Sequence, residues 1–181
     1  PKIDFTFATA MRAFLRADPD VILIGEMRDE ETASIGVEAS LTGHLVLSTL
    51  HTNSAPETIT RLLDLGLDPV NFSDALLGVL AQRLMRTLCP KCKEPYKPEQ
   101  KDLDHLIDAY GRDQFDIDMG DLDLAKHEFM GPVGCNDCGD TGYKGRTGIH
   151  ELLEGTNELQ AMIYRKAELD DIRAQAFKDG M

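Results

Sequence analysis

The chain has 181 residues, of which 42% are hydrophobic and 28% are charged, a composition typical of globular proteins that excludes a chain disordered throughout. Nineteen basic residues against 32 acidic residues give a formal net charge of −13, which disfavours nucleic acid and anionic lipid surfaces as partners. No apolar stretch approaches the ~18 residues of a membrane span. Because the sequence begins with Pro1 and shows no signal peptide, we expect a fragment that is cut at both ends.

The first elements predicted along the chain are a helix, a strand and a second helix. Apolar residues at helical spacing predict an amphipathic helix over about Thr6–Ala17, ahead of Pro19. Val21–Ile24 is a β-branched and leucine run, which predicts a strand buried on both faces of a parallel sheet. Asp29 can cap the helix that follows, and Gly43 can close it.

The same alternation continues. Leu45–Leu50 predicts a second buried strand, and a capping box at Ser54–Glu57 starts the next helix, which ends at Gly66. A third helix is predicted to begin at Asp68. Its buried face is predicted to carry Phe72, Leu76, Val79, Leu80 and Leu84. Strands that alternate with helices indicate an α/β fold with a parallel sheet, whose ligands bind at the carboxyl ends of the strands.

Two polar residues stand at those strand ends. Glu26 follows the first strand, where a nucleoside triphosphatase keeps the carboxylate that activates water. His51 follows the second strand, and its imidazole can donate at one nitrogen and accept at the other. Taken alone, each residue is more often a helix cap or a solvated side chain, and the same holds for His44.

The cysteines form two CxxC pairs separated by 42 residues: Cys89, Cys92, Cys135 and Cys138. Four thiolates match the closed tetrahedral shell of structural zinc, which leaves no open position for catalysis. Two disulfides or a redox-active CxxC are the competing interpretations. The segment His150–Glu154 resembles the HExxH motif of zinc proteases, but it lacks the second histidine and is rejected as one.

Four segments in order closely resemble the secretion and pilus ATPase superfamily, in its GspE/PulE/PilB branch. They are RADPDVILIGEMRDEETA at 16–33, TGHLVLSTLHTNSAPETITRLLDLG at 42–66, QRLMRTLCPKC at 82–92 and CNDCGDTGYKGRTGIHELL at 135–153. The resemblance covers nearly the whole chain except an acidic insertion at 98–128, which holds ten acidic and three basic residues and which we expect to be solvated.

The resemblance implies an α/β fold that is a partial RecA-like P-loop ATPase core, with an inserted tetracysteine zinc module and a C-terminal helical region. Residues 1–88 would form the second part of the ATPase core, with its Walker B strand and His box. Residues 89–145 would form the zinc module with the acidic insertion, and residues 146–181 the C-terminal strand and helices.

The resemblance also implies roles for individual residues. Val21–Glu26 matches the Walker B strand, in which this family has glycine, here Gly25, at the usual aspartate position and Glu26 as the catalytic carboxylate. His44 and His51 fall on the two histidines of the His box, and His51 is the one expected to approach the γ-phosphate. The arginines placed at nucleotide-binding or subunit-interface positions are Arg12, Arg16, Arg28, Arg61 and Arg146.

The function implied by the resemblance is that of a cytoplasmic, homo-hexameric motor, peripheral at the inner membrane through secretion or pilus platform proteins. It would hydrolyse ATP with Mg²⁺ to power type II secretion or type IV pilus assembly, and the tetracysteine motif favours these roles over pilus retraction. The sequence has no GxxxxGK[ST] motif, so we expect these 181 residues to be inactive alone. The alternative is a zinc-ribbon module that docks partners without catalysis.

Overall fold

Helices and strands alternate in the computed structural model, which describes residues 6–120 and 123–181. The helices are α1 (Phe7–Leu15), α2 (Glu30–Leu41), α3 (Ala55–Asp64), α4 (Pro69–Ala75), α5 (Gln100–Tyr110), α6 (Arg112–Met119), α7 (Asn157–Tyr164) and α8 (Leu169–Lys178). The strands are β1 (Val21–Ile24), β2 (Leu45–Ser48), β3 (Gly78–Leu88), β4 (Glu94–Tyr96), β5 (Phe129–Gly131) and β6 (Tyr143–Glu154). The predicted α/β class is confirmed.

The chain divides into two compact units. The first unit comprises the residues up to Arg83 together with Ile149–Met181, and the second unit comprises Leu84–Gly148. Strands β3 and β6 pair with each other, and each runs from one unit into the other.

Strands β1 and β2 form a parallel pair in the first unit, as the sequence predicts. Their register runs from Val21 opposite Leu45 to Ile24 opposite Ser48. Because the strands are parallel, their carboxyl ends lie at the same edge, and the segments that follow them start side by side.

The sequence predicts that β1 is buried on both faces, and this prediction is wrong. Ile22 and Ile24 are buried, whereas 54% of Val21 and 75% of Leu23 are exposed. The buried pair packs with Ala8 and Met11 of α1 and with Ile35 and Ala39 of α2. Both helices therefore cover the same face of β1, and the side chains that alternate with the buried pair point away from them.

Side-chain caps start α2 and α3 where the sequence places them, and α1 begins with a cap that the sequence analysis did not predict. Thr6, Asp29 and Ser54 precede α1, α2 and α3, and each accepts a hydrogen bond from the backbone N–H three residues later. Helix α1 is shorter than predicted, since it ends at Leu15.

The largest core of the first unit lies between α2, α3, α4, α7, α8 and β6. Its buried members are Ala33, Ala55, Ile59, Leu62, Leu67, Phe72, Leu153, Leu159, Met162, Ile163, Ile172 and Ala176. Helices α2, α3 and α4 thus share one apolar core with helices α7 and α8, which come much later in the sequence.

The third predicted helix is wrong beyond Ala75. Helix α4 stops there, and Val79, Leu80 and Leu84 lie on β3 instead. Val79 is half-buried while Leu80 and Leu84 are more than 60% exposed, which is the alternation of a strand. The apolar run satisfies helical spacing as well as strand alternation, so periodicity alone could not separate the two.

In the second unit, β4 and β5 form an antiparallel pair, with Tyr96 opposite Phe129. The acidic insertion forms α5 and α6, which sequence analysis did not predict, and these helices meet where Tyr110 packs edge-on against Phe115 at 5.8 Å. Asp121, one of the acidic residues of the insertion, lies outside the described residues.

Candidate functional site

Glu26 and His51 meet at the carboxyl edge of β1 and β2. Glu26 follows β1 by two residues and His51 follows β2 by three. The Glu26 Oε2 atom lies 3.3 Å from His51 Nε2. Together with Arg28, they form what we call the strand-end site. The structure therefore brings together the two residues that the sequence analysis selected as catalytic.

Arg28 contacts the same carboxylate oxygen. Its Nε donates to Glu26 Oε2 at 2.5 Å. This hydrogen bond is the main cause that lowers the pKa of Glu26; partial burial opposes it, and His51 adds to it. A lowered pKa favours the ionised carboxylate and makes it a weaker proton acceptor while Arg28 is in contact with it.

The other candidate residues lie at separate places. Arg61 lines a shallow depression of about 360 Å³ next to His51. His44 precedes β2, at the opposite edge from Glu26, and its Nδ1 lies 2.9 Å from Ala39 O. The ring of His44 is therefore tied to the end of α2 rather than to the strand-end site.

Three of the candidate arginines are exposed and distributed over the two units. Arg12 of α1 pairs with Glu31 at 3.1 Å, and Arg16 is the C-terminal cap of the same helix. Arg146 lies on β6 in the part that belongs to the second unit.

The four cysteines come together in the second unit and form the cysteine site. The Sγ atoms of Cys89, Cys92, Cys135 and Cys138 all lie within 4.8 Å of one another. The separations are 4.0 Å for Cys89–Cys135, 3.9 Å for Cys92–Cys138 and 3.8 Å for Cys135–Cys138. None of these distances is a disulfide, whose sulfurs are about 2.05 Å apart.

These spacings fit a tetrahedral metal. Four sulfurs each ~2.3 Å from a central zinc lie about 3.8 Å from one another, which is the edge length of that tetrahedron. Cys89 is buried and the other three are half-buried, so four ionised thiols here require a nearby cation. The cysteine site can therefore bind a metal ion, and its all-sulfur donor set suits zinc.

Backbone amides prepare one of the sulfurs as a ligand. Burial opposes ionisation of Cys138, but the N–H groups of Cys135 and Gly142, each 3.2 Å from its Sγ, lower its pKa to about 6. Burial raises the pKa of Cys92 to about 12. Gly142 also accepts from the Cys89 N–H, and it has a φ of +74° that favours glycine.

Sequence analysis missed a cluster of charges that joins the two CxxC segments. Lys91 of the first segment donates to Asp137 of the second at 2.8 Å, and Lys144 donates to the other carboxylate oxygen. The sequence contains a signal for this contact, because Lys91 lies within the first CxxC pair and the oppositely charged Asp137 lies within the second. It also missed Arg83 and Glu151, which contact the backbone beyond His51 and leave no local pattern in the sequence.

The contact between Arg28 and Glu26 leads to a pH prediction. Arg28→Gln should raise the pKa of Glu26 toward its ordinary value of ~4.3, because the largest cause of the shift is removed. Glu26 would then become protonated at a higher pH as the solution is acidified. Carboxyl ¹³C NMR titration measures this, with Arg16→Gln as a control that removes the same charge from the end of α1. An unchanged Glu26 titration would contradict the contact.

The cysteine site leads to a metal prediction. We expect one zinc ion per chain after purification without chelator, and a loss of at least tenfold in affinity for Cys92→Ser, which removes one of four ligands. Metal analysis and competition with a chelator measure both. Chelation should loosen residues 89–145 and leave β1, β2 and their helices folded. Stoichiometry near zero, or a disulfide within a CxxC pair under reducing conditions, would refute the assignment.

The chain matches one family model over nearly its whole length. The model is described as "Type II/IV secretion system protein" and matches residues 1–180. Among relatives, the type II secretion system ATPase E of Vibrio cholerae is 50% identical over 167 residues, 92% of this chain and 31% of that protein. The type IV pilus assembly ATPase PilB of Thermus thermophilus is 45% identical over 181 residues, 100% of this chain and 19% of that protein. The chain thus spans a third or less of the length of these relatives.

Solved structures agree on the fold. The crystal structure of the pilus retraction motor PilT with bound ADP has a TM-score of 0.57 and 27% identity, over 94% of this chain and 35% of that chain. The ATPase DotB of Legionella pneumophila has a TM-score of 0.54 and 22% identity, over 96% of this chain and 34% of that chain, which shows the fold alone.

Among the described residues, no helix is long and apolar enough to cross a membrane. The family match, the relatives and the fold confirm the resemblance inferred from the four sequence segments. The chain belongs to the type II/IV secretion system protein family.

Proposed function

We propose that this chain supplies the Walker B and His-box part of an ATPase that powers type II secretion or type IV pilus assembly. The observation that carries the proposal is the meeting of Glu26 and His51 at the carboxyl edge of two parallel strands. Open parallel sheets bind ligands at that edge. The family match and the names of the relatives support the same activity.

Glu26 is the general base in this proposal. Its carboxylate orients the water that attacks the γ-phosphate and accepts the proton that the water loses. Arg28 lowers the pKa of Glu26 in the described state and so weakens it as a base, and a planar guanidinium is also suited to hold two phosphate oxygens. We propose that Arg28 moves from Glu26 to phosphate when nucleotide binds, which restores the basicity of the carboxylate at the time it is needed.

His51 acts beside Glu26. Because its Nε2 faces the carboxylate, its other ring nitrogen is available to a second group, for which we propose the γ-phosphate. Arg61 borders the same depression and contacts phosphate or the neighbouring subunit. Arg12, Arg16, Arg146 and His44 are proposed for subunit interfaces or more distant parts of the nucleotide.

Zinc has a structural role in the proposal. A shell of four thiolates leaves no open position for water, so the ion would hold the two CxxC segments together without taking part in hydrolysis. The tetracysteine motif favours a secretion or assembly motor over a retraction motor, as the sequence resemblance implies.

The proposed assembly is a cytoplasmic homo-hexamer that binds ATP with Mg²⁺ between subunits. It would act at the inner membrane through secretion or pilus platform proteins, and not on nucleic acid.

A second candidate function is a zinc-ribbon module that binds partners without catalysis. It is favoured by one observation, namely that the cysteine site lies in a compact unit of its own. The two candidates differ in what Glu26 does. Substitution of Glu26 affects turnover under the first and affects nothing measurable under the second.

Replacing Glu26 tests the leading candidate. In the intact protein, Glu26→Gln should lower ATP turnover by roughly 100-fold or more and leave nucleotide binding nearly unchanged, because the amide keeps the shape and loses the basicity. Steady-state turnover and equilibrium ATP binding measure the two effects. Glu38→Gln, an exposed position on α2, is the matched control. Turnover within a few-fold of wild type would remove Glu26 from the mechanism.

These 181 residues alone should bind MgATP weakly or not at all. Most of the affinity for a triphosphate in such folds comes from the amides and lysine of a phosphate loop, and this sequence has no GxxxxGK[ST] motif. The net charge of −13 further disfavours an anionic ligand. Calorimetric titration at moderate salt measures the affinity, with circular dichroism as the folding control. Micromolar binding would mean that the nucleotide site is misplaced in this proposal and that residues 139–147 must be reconsidered as an unorthodox phosphate loop.

A further inference from the structure

We propose that Arg83 and Glu151 are positioning residues that fix the loop between β2 and α3, so that His51 reaches Glu26. The inference rests on the proposed function, since it assigns a supporting pair to the histidine of that site. Neither residue is within the strand-end site. Both act on the backbone that carries His51.

His51 needs such support because its own side chain is held by little else. The ring is 84% exposed, so core packing does not fix its direction. Residues 49–54 between β2 and α3 contain no helix or strand. The position of the imidazole therefore depends on where this loop is held.

The first end of the loop is held by the segment that follows β1. Thr49 O accepts from the Met27 N–H at 3.1 Å, and Thr49 Oγ1 donates to Gly25 O at 2.6 Å. These bonds join the segment that carries Glu26 to the start of the loop, two residues before His51. They leave the part of the loop beyond His51 to be fixed by other groups.

The second end is held by side chains from β3 and β6, in addition to local contacts of Thr52 and Asn53 with side chains of α3. Arg83 donates twice to Asn53 O, from Nε at 3.1 Å and from Nη2 at 2.7 Å. Glu151 Oε2 accepts from the Ala55 N–H at 2.8 Å. The two contacts lie two and four residues after His51, and they use one carbonyl and one amide of the backbone.

Both contacts are strong for physical reasons. Each joins a charged side chain to a backbone group, and such bonds are shorter and stronger than neutral ones. Ala55 is fully buried, so its N–H would lack a partner without the carboxylate. A carboxylate at the first turn of α3 is also favoured by the helix dipole.

The source of the two side chains matters as well. Arg83 lies on β3 and Glu151 on β6, and these strands pair with each other. A residue on a paired strand has a backbone fixed by the ladder, so its side chain starts from a defined place. The part of the loop beyond His51 is thus bonded to side chains of two paired strands.

The test is a set of single and double substitutions in the intact protein. Glu151→Ala and Arg83→Ala should each lower kcat by about 10- to 100-fold, the scale of a misplaced catalytic group, with KM for MgATP within about twofold. Glu151→Gln, which keeps an acceptor oxygen, should retain most of the turnover. Glu154→Ala on β6 and Gln82→Ala on β3 are matched controls, since both positions are exposed neighbours on the same strands.

A second readout separates positioning from a general loss of structure. Combined with His51→Ala, each substitution should cause little further loss, because the group being positioned is already gone. Hydrogen exchange over residues 49–56 should become faster in both alanine variants, while exchange in β1 stays unchanged. Since the Arg83 side chain is exposed, Arg83→Ala carries the test should Glu151→Ala fail to fold.

The outcomes separate this inference from the proposed function. If His51→Ala lowers turnover but the substitutions at Arg83 and Glu151 do not, the positioning role is wrong and the proposed function stands. Losses that add fully to that of His51→Ala overturn the positioning role in the same way. If His51→Ala itself leaves turnover unchanged, the assignment of His51 fails, and the inference fails with it.

Discussion

The parallel pairing of β1 and β2 is the constraint on which the strand-end site depends. It places Gly25 and Thr49 side by side, and their hydrogen bond continues the pairing beyond the last ladder residues. A shift of the β1-β2 pairing register by one residue would turn Ile22 and Ile24 away from α1 and α2. The burial of two isoleucines thus fixes the register that brings a glutamate and a histidine within hydrogen-bonding distance.

The cysteine site depends on a different kind of constraint, because its ligands come from two distant segments. Backbone hydrogen bonds of Gly142 and ion pairs of Asp137 hold the two segments together. A metal ion bound by the sulfurs would add to these contacts. This unit has a smaller apolar interior than the first, in which Leu103 and Phe115 are the large buried side chains among the described residues. A metal is therefore a natural source of its stability.

Sequence analysis succeeded where the determinants are local. The caps Asp29 and Ser54 and the CxxC spacing each act over three or four residues, and they could be predicted from the sequence. It failed where contacts with distant segments determine the local structure. The end of α4 depends on the pairing of β3 with β6, and the exposure of Leu23 depends on which face the helices cover. The partner of Arg28 depended on how the loop after β1 turns, which no periodicity records.

The separation of the two CxxC segments has a consequence for synthesis of the protein. Cys135 follows Cys89 by 46 residues, so at ordinary translation rates the first cysteine pair is made about 2 to 9 s before the second. During that interval Cys89 and Cys92 have no complete ligand shell and are open to oxidation or to a foreign metal. Asp137 arrives with the second pair and can attract Lys91 before any sulfur is bound. The acidic insertion therefore delays the completion of the cysteine site, and a shorter insertion would shorten the exposure of the first pair.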